Sequence, residues 1–313
     1  MPIFNRLLLQ AEHKESFFAL RAELDAAWTA HFLAEPHSPL YHYTDSDGLV
    51  GILSNKTLWA SDVSCMNDSS ELTYSLQKTK DRLSKEASQS SIVREFLESL
   101  GFGKKLPKMP YRFYAACFCE QGDLLSQWRA YANRGGGYAI GFDPANLCAT
   151  TQADFHLRKI VYDPETQDHL ITDLLNRTRE LLKKHAEGKN EVEKANLVFD
   201  VGHFFHDCLV EFCLSFKHPG FSEEHEWRVV KIQHNDEPKH QVEFRTAQGF
   251  PVPYVKFDIR FAGDSAPNSG PITMIRYGPT RHPDTAKESL QLLVERYELP
   301  SVQICGSEVP LRF

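Results

Sequence analysis

Residues 40–61 read LYHYTDSDGLVGILSNKTLWAS, and this stretch decides the fold class. Leu40-Tyr41-His42-Tyr43-Thr44 has the character of a short strand. Asp45, Ser46 and Asp47 follow as turn and cap residues, and Leu49, Ile52 and Leu53 mark one face of a short helix. Leu58-Trp59-Ala60-Ser61 reads as the next strand. Strand, helix and strand thus follow one another directly.

Upstream, Phe17, Leu20, Leu24, Ala27, Trp28 and Phe32 recur at steps of three and four. They predict an amphipathic helix within an N-terminal unit 1–37, stopped near Pro36 and Pro39 and packed on the main body. Downstream, Asn67-Asp68-Ser69-Ser70-Glu71 is a helix-start signal for a helix reaching about residue 84. The polar stretch 88–110 suits a helix and a loop. Strands are expected at 113–119, 138–142, 157–162, 227–232, 255–259, 272–277 and 302–304. A loop and short helix fit 121–133, and Arg134-Gly135-Gly136-Gly137 is a turn. Two helices near 165–186 and 190–216 break at Gly188 and end at Pro219-Gly220. Another helix spans roughly 284–297. Strands and helices are interspersed without regular βαβα alternation. The fold class is therefore α+β, with a mixed, largely antiparallel sheet and inserted helices. Residues 38–313 read as one domain carrying a helical insertion at about 165–218.

The 313 residues are 42% hydrophobic and 25% charged, which excludes wholesale disorder and a multi-span membrane protein. A net charge of −7 excludes a basic coat for indiscriminate nucleic-acid binding. A local patch at Lys104, Lys105, Lys108 and Arg112 stays open. Seven cysteines show no secreted-scaffold rhythm, and the leucine run Leu7–Leu9 is too short for a signal sequence. These features point to reduced thiols, a cytoplasmic location and no membrane partner.

Three residue sets are candidates for chemistry. His42 and Thr44 are two apart on a strand and share a face, with Tyr41, Tyr43, Trp59 and Ser61 nearby. They suit hydrogen bonds to a sugar or amide beside a stacked ring. The same pattern equally fits a half-buried strand whose His is satisfied by backbone. Glu223-Glu224-His225-Glu226 precedes the strand at 227. If that strand starts early, Glu224 and Glu226 point to one side, where one carboxylate steadies a cation and the other orients an incoming group. A solvated acidic turn is the alternative. Gln127, Trp128, Arg129 and Tyr131, with Arg134 and the glycines, suit phosphate and base contacts, or an amphipathic helix capped by a Gly turn. The helix residues His203, His206, Asp207, Cys208 and Cys213 lack metal-site spacing. Arg276, Arg281 and Arg312 are available to an anion.

Taken together, residues 40–44, Gly51-Ile52-Leu53, 58–61, 67–71, 126–131, Gly137 to Phe142, Glu226-Trp227-Arg228 and 307–312 resemble the bacterial domain-of-unknown-function family 2971. The resemblance spans residue 40 to the end. A more distant resemblance starts from His42-x-Thr44, the helix to Ile52-Leu53, and Leu58. This opening is similar to ADP-ribosyltransferases, nearest the DNA-modifying toxins and RNA 2′-phosphotransferases. That resemblance implies an ADP-ribosyltransferase-like sheet core and NAD as substrate. It gives His42 a place on the adenosine ribose and nicotinamide amide, Glu226 on the nicotinamide ribose, and Glu224 the orienting of an acceptor. His42, Tyr43, Thr44, Trp59, Ser61, Gln127, Trp128, Arg129 and Tyr131 become the cofactor-binding set, with Tyr114 or Tyr131 as the stacking tyrosine. The Ser-Thr-Ser motif of one branch is absent. The implied function is ADP-ribose transfer to DNA, RNA or protein, as in a toxin or phage-defence effector. The alternatives are a non-catalytic nucleotide-binding module and a phosphate-directed enzyme leaning on Arg129, Arg134 and Arg228.

Overall fold

The computed structural model describes residues 11–66, 70–99, 111–131, 137–149, 155–237, 241–247, 249–259 and 271–310. The helices are α1 (Ala11–Trp28), α2 (Ser46–Asn55), α3 (Ser70–Gln89), α4 (Ser91–Ser99), α5 (Leu125–Tyr131), α6 (Pro144–Ala149), α7 (Pro164–Ala186), α8 (Glu191–Ser215) and α9 (Pro283–Arg296). The strands are β1 (Leu40–Thr44), β2 (Thr57–Asp62), β3 (Tyr111–Cys119), β4 (Tyr138–Phe142), β5 (Phe155–Lys159), β6 (Glu226–His234), β7 (Glu243–Ala247), β8 (Phe250–Asp258), β9 (Ile272–Tyr277) and β10 (Gln303–Gly306). The fold is α+β, and among the described residues the strands form one mixed, mostly antiparallel sheet in the order β10-β9-β4-β1-β3-β2-β8-β7. β6 lies against the other edge of β3, and β5 lies outside β6. The β10–β9 pair is parallel and the remaining ladders are antiparallel.

β3 organises the sheet. One edge pairs with β6 along its whole length, Tyr111↔His234 to Cys119↔Glu226. The other edge is shared between two strands, β1 at Tyr41↔Cys119 and β2 at Ser61↔Ala115 and Asp62↔Tyr114. β1 and β2 therefore fork apart beside residues 116–118. His42 reaches into this fork, its Nδ1 2.9 Å from the Cys117 carbonyl oxygen.

Each sheet face has its own cover. Leu58, Phe118, Ile140, Trp227 and Phe257 are buried on one face with Leu49 and Ile52 of α2 and Leu290 of α9. On the other face, Ala115 and Val230 meet Val210 and Leu214 of α8, while Tyr43 and Ala139 meet Trp128 of α5. A further apolar cluster unites Phe17, Leu24 and Trp28 of α1 with residues of α3, α4, α7 and α8. The N-terminal helix is thus packed on the body. The long helices are well started: Asp163 accepts from the Thr166 amide at 2.8 Å, with Pro164 at the first position of α7. A capping box of Asn190 and Glu193 opens α8.

Several boundaries differ from the sequence reading. α1 stops at Trp28, short of Pro36, because a turn intervenes with the Leu33 amide bonded to the Trp28 carbonyl. The strand expected at 157–162 lies at Phe155–Lys159. The strand expected at 255–259 begins at Phe250 and pairs with β7, which the sequence reading did not mark. Pro251 and Pro253 conceal this hairpin, since proline argues against a strand. Both sit in the part of β8 that has β7 as its paired neighbour, ahead of the β2 ladder at 254–258. Gly249, at φ +84°, makes the turn. Asn67 to Ser69, Lys104, Lys105, Lys108, Arg134 to Gly136 and Arg312 lie outside the described residues. No described helix is long and apolar enough to cross a membrane.

Candidate functional site

A dense set of mostly buried charges lies at the start of β6. α8 ends at Ser215, and the chain runs through Lys217 into a 3-10 turn, Pro219–Glu224. His225 then adopts a left-handed conformation, φ 43° and ψ 49°, before Glu226 opens the strand. The left-handed residue turns the chain so that both carboxylates converge on one ammonium. Lys217 Nζ donates to Glu224 Oε2 at 2.5 Å and to Glu226 Oε2 at 2.9 Å. The sequence reading expected strand alternation to align the two glutamates. The structure aligns them by a kink, because β6 begins only at Glu226.

The Glu226 carboxylate is buried and heavily bonded. Arg228 donates from Nε to Oε1 at 2.6 Å and from Nη2 to Oε2 at 2.8 Å. The Cys117 thiol adds a hydrogen bond. The Glu226 amide donates to the Tyr162 hydroxyl at 3.1 Å. Burial pushes the carboxyl upward, but Arg228 and Lys217 outweigh it and hold its pKa at about 2. Glu224 is at the rim, its side chain 29% exposed. The Lys217 ammonium also stands 5.0 Å from the Phe221 ring centroid.

Tyr131 completes the site from α5. The residue is 41% exposed, yet its hydroxyl end is enclosed. Burial, then Cys117, Glu226 and Glu224, raise its phenol pKa. Tyr114 is instead fully buried among apolar residues on the opposite face, so Tyr131 is the tyrosine that joins the carboxylates.

The other sequence-selected residues are dispersed. Partners across a ladder share a face, so Glu226 and Arg228 lie on the face of Cys119 and Cys117. His42 alternates to the other face, with its ring 5.8 Å from Phe118. The structure therefore does not bring His42 and Glu226 together. Burial lowers the pKa of His42, and its backbone bond to Cys117 is the plainer arrangement that the sequence left open. Thr44 packs on the first turn of α2, where a Cβ on Gly48 would come 1.9 Å from Thr44 Oγ1. Tyr43 donates its hydroxyl to the Gln121 carbonyl at 2.8 Å. Trp128 is buried between the edge-on Tyr43 ring and Gly278, and its Nε1 donates to Asp123 at 2.7 Å, so it is packing rather than a stacking platform. Gln127 is buried and Arg129 exposed. Ser61 accepts from Arg245 at 3.2 Å, and Trp59 stacks on Tyr254. Among the described residues no cluster of three His, Cys, Asp or Glu side chains is arranged to hold a metal ion.

Sequence reasoning missed Lys217 and Tyr162. Lys217 follows a helix end and carries no motif, and its spacing to Glu224 signals nothing once a turn intervenes. The left-handed His225 supplies a test. His225→Gly is expected to leave stability unchanged or slightly raised, whereas His225→Val is expected to cost about 1–2 kcal/mol. Urea midpoints measure both, and equal midpoints would show that the kink is not strained.

A model of the family described as "Protein of unknown function (DUF2971)" matches residues 127–229. That stretch runs from α5 into β6 and holds Tyr131, Lys217, Glu224, Glu226 and Arg228. The match supports the family over those residues. No curated protein and no solved structure matches the chain.

Proposed function

We propose that the protein is an NAD-using ADP-ribosyltransferase-like enzyme that moves ADP-ribose to a nucleic acid or protein. The observation that carries this reading is a buried carboxylate, Glu226, held ionised by two cations and set beside a second carboxylate, Glu224. In the reaction the bond from ribose C1′ to the nicotinamide nitrogen breaks. Nicotinamide leaves with the electron pair, and the ribose carbon becomes oxocarbenium-like. The acceptor then attacks C1′ and loses its proton to water past Glu224. A carboxylate with a pKa of about 2 is a poor base at neutral pH, so Glu226 acts by charge and hydrogen bonding. The Cys117 thiol is the weakest donor on it, and the one a ribose hydroxyl would replace. Lys217 holds the two carboxylates in register, and Tyr131 offers an aromatic ring at the rim. His42 serves as a positioning residue that bridges the strand fork.

The phosphate-directed alternative leans on Arg129, Arg134 and Arg228; Arg129 is exposed, Arg134 lies outside the described residues, and Arg228 is buried and bonded to Glu226. The bonding of Arg228 to Glu226 supports the glycosyl reading at this carboxylate. Incubation with NAD, alone and with mixed DNA, RNA or lysate protein, is expected to release nicotinamide detectable by mass spectrometry. Silence in every arm would leave a nucleotide-binding or regulatory module.

A further inference from the structure

Three of the four tryptophans are interior: Trp28 is 0%, Trp128 1% and Trp227 2% exposed. Trp59 is 43% exposed. It is not a loose surface ring, because it lies on Tyr254 with centroids 4.4 Å apart and planes at 22°. Tyr254 is itself buried, and its hydroxyl is fixed by donation to Glu243 at 2.8 Å. One indole face is thus held against a rigid backing, and the residue stays open to solvent.

The surroundings are aromatic and charged, with the cations Arg245 and Lys256 and the carboxylate Glu243. Trp59 is the ladder partner of Lys256, and Tyr254 that of Ser61, so all four share a sheet face. Arg245 reaches Ser61 at 3.2 Å, and Lys256 pairs with Glu243 at 2.7 Å. Phe250, 42% exposed, alternates onto the same face farther along β8. This is also the face of Cys117, Arg228 and Glu226, across the fork between β1 and β2. Aromatic faces interleaved with cations are how sequence-tolerant single-strand binding works, with bases stacking and phosphates neutralised.

We infer that Trp59, backed by Tyr254 and flanked by Lys256 and Arg245, is a base-stacking site for single-stranded nucleic acid. The inference rests on the transferase reading only in making that strand the acceptor. Trp59 stands on β2 beside the outer β7–β8 hairpin, and its open position suits a chain that continues in both directions.

Tryptophan emission tests it directly, since Trp59 is the exposed reporter. A mixed-sequence single strand of about eight nucleotides, within the usual site size, is expected to quench the emission of the intact protein. Trp59→Phe, which keeps a ring on Tyr254, is expected to remove the quenching. Trp59→Ala is expected to weaken binding of a labelled strand about ten-fold. Lys256→Gln is expected to lower the slope of log affinity against log salt by about 0.7, one phosphate contact. Absence of quenching by the strand, unchanged affinity in Trp59→Ala, or quenching by NAD but not by the strand would each overturn the inference. Nicotinamide release is read separately. Release without strand binding removes this site and leaves the transferase reading, and strand binding without release removes the transferase reading alone.

Discussion

Glu226→Gln is expected to lower nicotinamide release about 100- to 1,000-fold, the usual effect of deleting a preorganised charge stabiliser. The amide keeps the volume and loses the negative charge that Arg228 and Lys217 both address. Those cations are buried, so the variant also loses stability, and a thermal melt must accompany the assay. Two milder variants separate mechanism from folding. Glu224 is at the rim, so Glu224→Gln is expected to stay folded, keep nicotinamide release and lose transfer to an acceptor. Lys217→Met leaves Glu226 with Arg228, and is expected to shift the acid limb of the rate profile to higher pH by freeing part of the carboxylate's depression. Full activity in Glu226→Gln, or an unmoved acid limb in Lys217→Met, would remove these roles.

Glu211→Gln is expected to cost about 3–5 kcal/mol of stability, the range for breaking one partner of a buried ion pair. Glu211 is fully buried in α8 and accepts from Arg158 of β5 at 3.0 and 3.1 Å and from Arg21 of α1 at 3.2 Å. One carboxylate thus ties the N-terminal helix and an outer strand to the longest helix. Burial raises its carboxyl pKa, but Arg158 and Arg21 overcome this and set it at about 2. The folded value lies below the ordinary 4.5, so this stabilisation is complete above that pH and is lost as pH falls toward 2. Glu226 contributes with the same sign and over the same window. Urea midpoints of the wild type are expected to fall across that window, and Glu211→Gln to fall less steeply. A parallel fall in both proteins would assign the acid sensitivity elsewhere.

Much of the element order was legible because each signal is local. Phe17, Leu20 and Leu24 advertise a helix face, Asp45 a cap, and 138–142 a strand, and all are found so, although that strand is buried continuously from Ala139 to Phe142 rather than on alternate residues. The β7–β8 hairpin was hidden because its prolines oppose the strand pattern. The site was legible in part. Glu224 and Glu226 stand out as an acidic pair, but their cation, Lys217, is unmarked. His42 and Trp128 look like ligand contacts by residue type, and packing uses them for a backbone carbonyl and an apolar contact.

By itself the sequence determined the α+β class, the long helices, most strands and the glutamate pair, since capping, periodicity and turn chemistry act over a few residues. Only the tertiary structure decided that β1 and β2 share one edge of β3, that His42 and Glu226 fall on opposite faces, and that Lys217, Arg228 and Cys117 meet one carboxylate. Those facts depend on strand register and a left-handed residue, where a shift of one position exchanges the faces, and no local pattern encodes that choice.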